Sequence, residues 1–298
     1  MMDSNYLKKN KILVDKWITN HFKKIENHNS LQTAIKYGVK NGGKRLRPFF
    51  IIELSKILKI PSVSYRQLSL AIEFIHCYSL IHDDLPSMDN DNYRRGKLTV
   101  HKKFKESTAI LAGNSLYGMA IELILDNKTC KNLEVRQKIL KLIIEYTGYK
   151  GLMYGQFNDL YYENKNTSVN KIISTYELKT SKLFQLSTSL PFILNQSDKK
   201  SVKKAQVFGR NFGIIYQIAD DFSDNDRGFK EIGKTPGKDR KKGKQTLISK
   251  IGRKEALKLC YKLANDATND INIFGQDKYK FKKLMLSIII SIERNNNL

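Results

Sequence analysis

The chain has 298 residues, 41% of them hydrophobic, and a formal net charge of +24 at pH 7. Five prolines, seventeen glycines and no Ser/Pro-rich or Gly-rich linker predict one domain over residues 1–298 with a sizeable core. The basic residues are spread along the whole chain without a nucleic-acid module or an aromatic-interleaved basic strand, so the charge reads as a lysine-rich solvated surface and no nucleic-acid partner is expected.

Apolar residues recur at helical spacing from one end to the other. In 65–84, Leu68, Ala71, Ile72 and Ile75 follow i, i+3, i+4, i+7. Similar stripes run over 4–27, 30–41, 48–58, 104–126, 132–148, 170–190, 202–224, 253–272 and 278–294. Alternating strand patterns bounded by hairpin turns are absent, and no internal repeat has a fixed period. The prediction is an all-α protein with many helices and short loops. The start, "MMDSNYLKKNK", lacks the apolar core of a signal peptide. The longest apolar run, "LMLSIIISI" at 284–292, is too short to span a bilayer, so no transmembrane segment is expected. Cys77, Cys130 and Cys260 are odd in number and far apart, which suits a reducing cytoplasm.

Four stretches concentrate chemistry. In "NGGKRLRPF" at 41–49, Gly42 and Gly43 end one helix and Pro48 fits the first turn of the next. Lys44, Arg45 and Arg47 crowd the loop just before that helix N-terminus, where guanidinium forks and free N–H groups suit a phosphate. In "HDDLPSMDNDNYRRG" at 82–96, Pro86 ends the helix that begins near Tyr65. Asp83 and Asp84 then sit at a helix C-terminus that is already partly negative, and the loop carries Asp89 back beside them. His76 lies seven residues earlier on the same face. Arg94 and Arg95 follow directly, and Lys179 and Thr180 stand within a predicted helix at "ELKTSKLF".

The fourth stretch, "QIADDFSDND" at 217–226, yields to an angular analysis. Phe208, Phe212, Ile215, Ala219 and Phe222 form one stripe; Gly209, Gly213, Gln217, Asp220 and Asp224 form another, roughly 140° away. Such a helix is buried and turns one polar stripe to a cavity. Carboxylates one turn apart repel unless a cation lies between them, and oxygen ligands without His or Cys suit Mg²⁺. A Gly/Lys loop, "IGKTPGKDRKKGKQT", follows at 232–246. Each stretch alone is also what an ordinary charged surface would carry. Together they suggest a site for two polyanions, one held through Mg²⁺ and one by basic side chains only.

The set, with "HKKFKESTAILAGNSL" and "YGQFNDL" between the acidic motifs, resembles the trans-isoprenyl diphosphate synthases of the bacterial farnesyl type over nearly the whole chain. The resemblance implies a single all-α bundle of about a dozen helices around a deep cavity, as a homodimer. It implies up to three Mg²⁺ ions, two on Asp83 and Asp89 with Asp84 in support, and one on Asp220 with Asp221 and Asp224 in support. Arg94, Lys179 and Lys234 would hold the allylic diphosphate, with Thr180 and Gln217 beside the reacting carbon. Lys44, Arg47, His76 and Arg95 would bind isopentenyl diphosphate, and Arg294 would close over the site. Tyr78 and Ser79, five and four residues before Asp83, would set product length; a bulky Tyr78 that caps the cavity favours fifteen carbons. Geranyl or geranylgeranyl diphosphate synthesis and class I terpene cyclisation are the alternatives. Asn114, Phe222 and Ser223 depart from the usual pattern without removing an expected metal ligand.

Overall fold

The computed structural model describes residues 4–23, 29–226, 243–269 and 271–296. Helix α1 spans Ser4–Lys23 and α2 spans Ser30–Lys40, the latter started by Asn29, whose side chain accepts from the Gln32 N–H at 3.0 Å. Gly42 and Gly43 then take φ of 87° and 114°, which stops α2 and turns the chain into α3, Leu46–Ile57. Pro48 falls in the first turn of α3, as expected. So do Leu46 and Arg47, which makes Arg47 a helical residue rather than a loop residue.

Helix α4, Ser62–Asp83, starts after Pro61, three residues ahead of the expected Tyr65, because proline pre-sets the φ of the turn into the helix. It ends at Asp83, with Pro86 just beyond, as the sequence requires. A two-residue hairpin follows that strand patterning did not foresee: β1, Tyr93–Arg94, pairs with β2, Lys97–Leu98. Its turn is Arg95-Gly96, both with positive φ, the signature of a type I′ turn. Strands this short contain too few residues for alternation to register.

Next come α5, Val100–Lys103; α6, Glu106–Leu125; α7, Leu133–Thr147; and α8, Leu152–Tyr161. Helix α8 is a correction: it lies between the stripes expected at 132–148 and 170–190, and its three turns carry Tyr154, Phe157 and Tyr161 exposed, which blurs its apolar face. Helix α6 is, among the described residues, the one helix long and apolar enough to cross a membrane by length and composition. It packs against α4 and α2, with Ala109, Ala112, Leu116, Ala120 and Ile124 buried. The expected 170–190 helix is α9, Val169–Tyr176, and α10, Lys182–Leu194, joined through one π-helical turn at Glu177–Ser181. Helix α11 runs from Lys199 to Asp226, α12 from Leu247 to Thr268 with a Thr246/Ser249 capping box, and α13 from Lys278 to Asn296. The three cysteines are free thiols.

Two cores form side by side. The first is largely aliphatic and joins α1, α2, α4, α6 and α7 through Val14, Ile35, Leu68, Ile72, Leu116 and Ile139. The second is rich in phenylalanine and joins α3 and α9 to α13 through Phe50, Phe184, Phe208, Phe212, Phe274 and Phe281. The Phe50 ring stands at its centre, 4.8 Å from Phe212 and stacked at 18° on Phe281. Helices α3 and α10 supply side chains to both cores and so bind them together.

Candidate active site

Between the two cores opens a cavity of about 680 Å³. The C-terminal end of α4 forms one wall and the C-terminal half of α11 another. The glycine loop before α3, the hairpin, α8 and the π turn complete the rim.

On the α4 wall the backbone itself gathers the carboxylates. The Asp89 N–H donates to the Asp83 carbonyl at 2.8 Å and the Asp91 N–H to the Asp84 carbonyl at 3.1 Å, so the loop folds back on the helix end. Asp83 and Asp89 face the cavity. Asp84 does not: it is buried, and the Arg94 guanidinium grips it at 2.6 Å. Burial raises Asp83 to about 6, with Lys179 opposing and Asp89 adding to the rise. Asp84 is likewise raised to about 6 by burial against the pull of Arg94. Burial works against the Arg94 charge too, but Asp84 outweighs it and the guanidinium value rises.

On the opposite wall, Gln217, Asp220, Asp221, Ser223 and Asp224 of α11 reach the cavity. The glycines of the same stripe do something else. A Cβ on Gly209 would lie 2.6 Å from the Phe184 carbonyl, and one on Gly213 would lie 2.5 Å from the Ser181 Cα. They let α11 approach α10 closely, and only beyond Gly213 does the stripe open onto the cavity.

The two residues at the π turn lie between these walls. An extra residue in the turn re-aims its side chains, and such bulges collect at functional sites. Lys179 reaches Asp159 of α8 at 2.6 Å, and Lys244 meets the same carboxylate at 3.2 Å. Burial would raise Asp159, but the two lysines hold it below its ordinary value; burial likewise opposes the Lys179 charge, and Asp159 more than offsets it. Thr180 donates to Gln217 Oε1 at 2.6 Å.

The basic residues come from another part of the rim. Lys44, Arg47, His76 and Arg95 line one end of the cavity with Asn41, Gly42 and Gly43. Arg47 lies 4.4 Å over the Phe184 ring and its Nη1 meets His76 Nε2 at 3.3 Å. An arginine stays charged, so His76 Nε2 accepts and its proton sits on Nδ1. Burial first, then Arg47 and Arg95, pushes the imidazole well below its ordinary value, so it is neutral at pH 7. Arg95 donates to the Gly42 carbonyl, and a Cβ on Gly43 would lie 2.6 Å from the Arg95 guanidinium carbon. Glycine there makes room for the arginine. Arg45, its neighbour in sequence, has a different task. It is buried, pairs with Asp15 at 3.0 Å and Glu73 at 2.5 Å, and ties α1, α3 and α4 together; it is not among the cavity lining.

Ser79 lines the cavity, its hydroxyl donating to the His76 carbonyl at 2.9 Å. Tyr78 does not border the main cavity; its ring packs edge-on against His82 at 4.8 Å and Tyr117 at 5.3 Å. Arg294 is exposed near the end of α13 and away from the cavity lining. Lys234 lies outside the described residues. Sequence reasoning missed Lys40, Asn41, Lys97, Tyr216 and Lys244 as lining residues. Of Gln156 and Asp159 in "YGQFNDL", Gln156 lines the cavity from α8, and Asp159 lies beside it, paired with Lys179 and Lys244.

The donor chemistry fits Mg²⁺. The cavity walls offer carboxylate oxygens with no cysteine, and its one histidine belongs to the basic pocket. Among the described residues, no three potential ligands converge on one point. Carboxylates split between walls suit ions that share their coordination with phosphate oxygens and water. Asn41 Oδ1, Arg47 Nε and both amide atoms of Gln156 are buried without a hydrogen-bond partner, although their side chains line the cavity. Such atoms call for a polar occupant.

The comparisons agree with that chemistry. The chain is 39% identical over 223 residues to a farnesyl diphosphate synthase of Micrococcus luteus, covering 74% of this chain and 76% of the relative. It is 34% identical to geranylgeranyl pyrophosphate synthase 4 of Arabidopsis thaliana, covering 84% of this chain and 68% of the relative. A Helicobacter pylori geranyltransferase, solved with magnesium and isoprenyl diphosphate, superposes with a TM-score of 0.83 at 27% identity, over 97% of each chain. The family model for polyprenyl synthetase matches residues 28–272, and the chain belongs to that family.

Proposed function

We propose that this protein is a magnesium-dependent prenyltransferase that joins isopentenyl diphosphate to dimethylallyl and then geranyl diphosphate, releasing diphosphate and making farnesyl diphosphate. One observation carries the reading: a single cavity is lined by carboxylates from two walls and by a cluster of basic side chains, Lys44, Arg47 and Arg95, with His76. The division matches two diphosphates of different fate, one that leaves and one that stays.

Asp83, Asp89, Asp220 and Asp224 would hold the metal, up to three ions, with Asp84 acting through Arg94. Bound Mg²⁺ would draw charge from the departing diphosphate. Arg94, Lys179 and, in the sequence beyond the described residues, Lys234 would add positive charge to the same group. Lys44, Arg47 and Arg95 would grip the second diphosphate, and His76 would keep Arg47 aimed at it. As the allylic C–O bond breaks, the Thr180 oxygen, backed by Gln217, would face the cationic carbon. The isopentenyl double bond, held in register, would attack that carbon, forming the new C–C bond. The proton lost from the adjacent carbon would pass to the released diphosphate.

Ser79 at the cavity supports the reading of a fifteen-carbon product, with Tyr78, one residue before it on α4, packed on Tyr117. Exposed Leu111 and Leu125 of α6 and Leu133 and Ile144 of α7 suit a homodimer face. The test is direct. Purified protein, Mg²⁺, isopentenyl diphosphate and each allylic diphosphate should give a fifteen-carbon product. No Mg²⁺-dependent condensation would end the proposal; a ten- or twenty-carbon product would replace the farnesyl assignment, and cyclised hydrocarbon would favour a terpene cyclase.

A further inference from the structure

A chain of side-chain hydrogen bonds leads from the cavity into the second core. Thr180 Oγ1 donates to Gln217 Oε1 at 2.6 Å. Gln217 Nε2 donates to Asp221 Oδ1 at 3.0 Å. The Tyr176 hydroxyl donates to the other oxygen of Asp221. The Leu247 N–H, at the start of α12, donates to the Tyr176 oxygen at 3.0 Å. Thr180, Asp221 and Tyr176 are all buried.

The order of donors has a consequence. Both Asp221 oxygens accept, one from Tyr176 and one from Gln217, so Asp221 dictates which end of the Gln217 amide faces it. Tyr176 can give its single proton to Asp221 because the Leu247 N–H serves its oxygen. With the NH₂ end of Gln217 turned to Asp221, its carbonyl end must meet Thr180. Thr180 then commits its only hydroxyl proton to Gln217, and what remains for the cavity is its lone pairs. Reversing the amide would free that proton and let the hydroxyl present positive charge to the cavity instead.

Placement adds a reason. Tyr176 is the last residue of α9 and Thr180 lies in the π turn that follows, so one end of the relay anchors the turn whose side chains face the cavity. Asp221 is adjacent to Asp220 in sequence, yet both of its carboxylate oxygens have protein donors.

We propose that Asp221 and Tyr176 are positioning residues that act through Gln217 to keep the Thr180 oxygen, negative end first, toward the reacting carbon, and that Asp221 is not a metal ligand. This rests on the prenyltransferase reading. A fixed dipole is useful where positive charge develops, because it needs no reorganisation when the bond breaks.

The experiment compares Asp221→Asn, Tyr176→Phe, Thr180→Val and the Asp221→Asn/Thr180→Val double variant with wild type, using Asp220→Asn as a metal-side reference. It reads kcat, KM for both substrates, the half-saturating Mg²⁺ concentration, and calorimetric binding of Mg²⁺ with inorganic diphosphate. Asp221→Asn and Tyr176→Phe should each lower kcat by about tenfold to a hundredfold. KM, Mg²⁺ demand and diphosphate binding should stay within about twofold of wild type, unlike those of Asp220→Asn. The double variant should be no slower than Thr180→Val alone, since the hydroxyl through which Asp221 acts is already gone. Losses that multiply, or an Asp221→Asn variant that binds Mg²⁺ and diphosphate as poorly as Asp220→Asn, overturn the positioning role. Should Asp221→Asn fail to fold, Tyr176→Phe combined with Thr180→Val closes an equivalent cycle, and multiplying losses there overturn the role in the same way. A wild type without condensation defeats the prenyltransferase reading itself; an active wild type with multiplying losses defeats only this inference.

Discussion

The two carboxylate walls of the cavity are built on different principles. The α4 wall is a helix end with its loop folded back by backbone hydrogen bonds, and burial lifts Asp83 and Asp84 to about 6. Its carboxylates are concentrated before any cation arrives, and Arg94, which grips Asp84, offsets Asp83 only in part together with Lys179. The α11 wall is a continuous helix whose second aspartate is occupied by Gln217 and Tyr176. One wall holds negative charge in a backbone trap, and the other spreads it along a helix and commits part of it to a neutral relay. Equal aspartate content therefore does not mean equal duty.

The sharpest way to break that contrast is to neutralise one carboxylate on each wall. Asp83→Asn and Asp220→Asn should each cut kcat by about 10²–10³-fold in a condensation assay. They should differ in stability: Asp83→Asn relieves a crowded trap and should raise the melting temperature of the Mg²⁺-free protein above that of Asp220→Asn. Equal melting temperatures would dissolve the distinction between the walls.

The next prediction concerns what supports the α4 wall. Arg45→Met leaves Glu73 buried without its cation and should destabilise the fold by about 3–5 kcal/mol in urea titration. A loss below about 1 kcal/mol would show that the Arg45 pairs are not what ties α1, α3 and α4 together.

The basic pocket differs from both walls by its neutral histidine. Burial beside Arg47 depresses His76 in the folded state, so the unfolded chain takes up a proton that the folded pocket refuses. Its stability contribution is present above the unfolded value of about 6.5 and is lost as pH falls through and below it. Denaturant midpoints taken between pH 7.5 and pH 5.5 should drop more for wild type than for His76→Gln, and parallel curves would remove this assignment. The smallest effect on rate should come from Tyr78→Ala, which opens the ring wall shared with Tyr117 and His82. It should lengthen the product beyond fifteen carbons in a chain-length assay while kcat changes by less than about tenfold. An unchanged product would strip Tyr78 of that role.

Much of this was legible in the residues. The α4 stop at Asp83 and the loop that carries Asp89 back both follow from Pro86. The polar stripe of α11 was readable because buried helices vary strongly around their circumference. Helix α8 was not readable, since exposed aromatics mask its period. Arg45 and Arg47 are two residues apart in one basic run, and only packing sends the first to Glu73 and the second to the cavity. The same holds for Asp84, which looks like Asp83 until Arg94 is placed beside it, and for Lys244, whose partner Asp159 is far away in the chain.

By itself the sequence determined the all-α class, the two aspartate clusters and the glycine turn before α3, because these rest on local rules: periodicity, proline geometry and helix-end electrostatics. Only the tertiary structure decided which charges meet each other and which face the cavity. Pairing depends on distances between segments far apart in the chain, and no local rule carries that information.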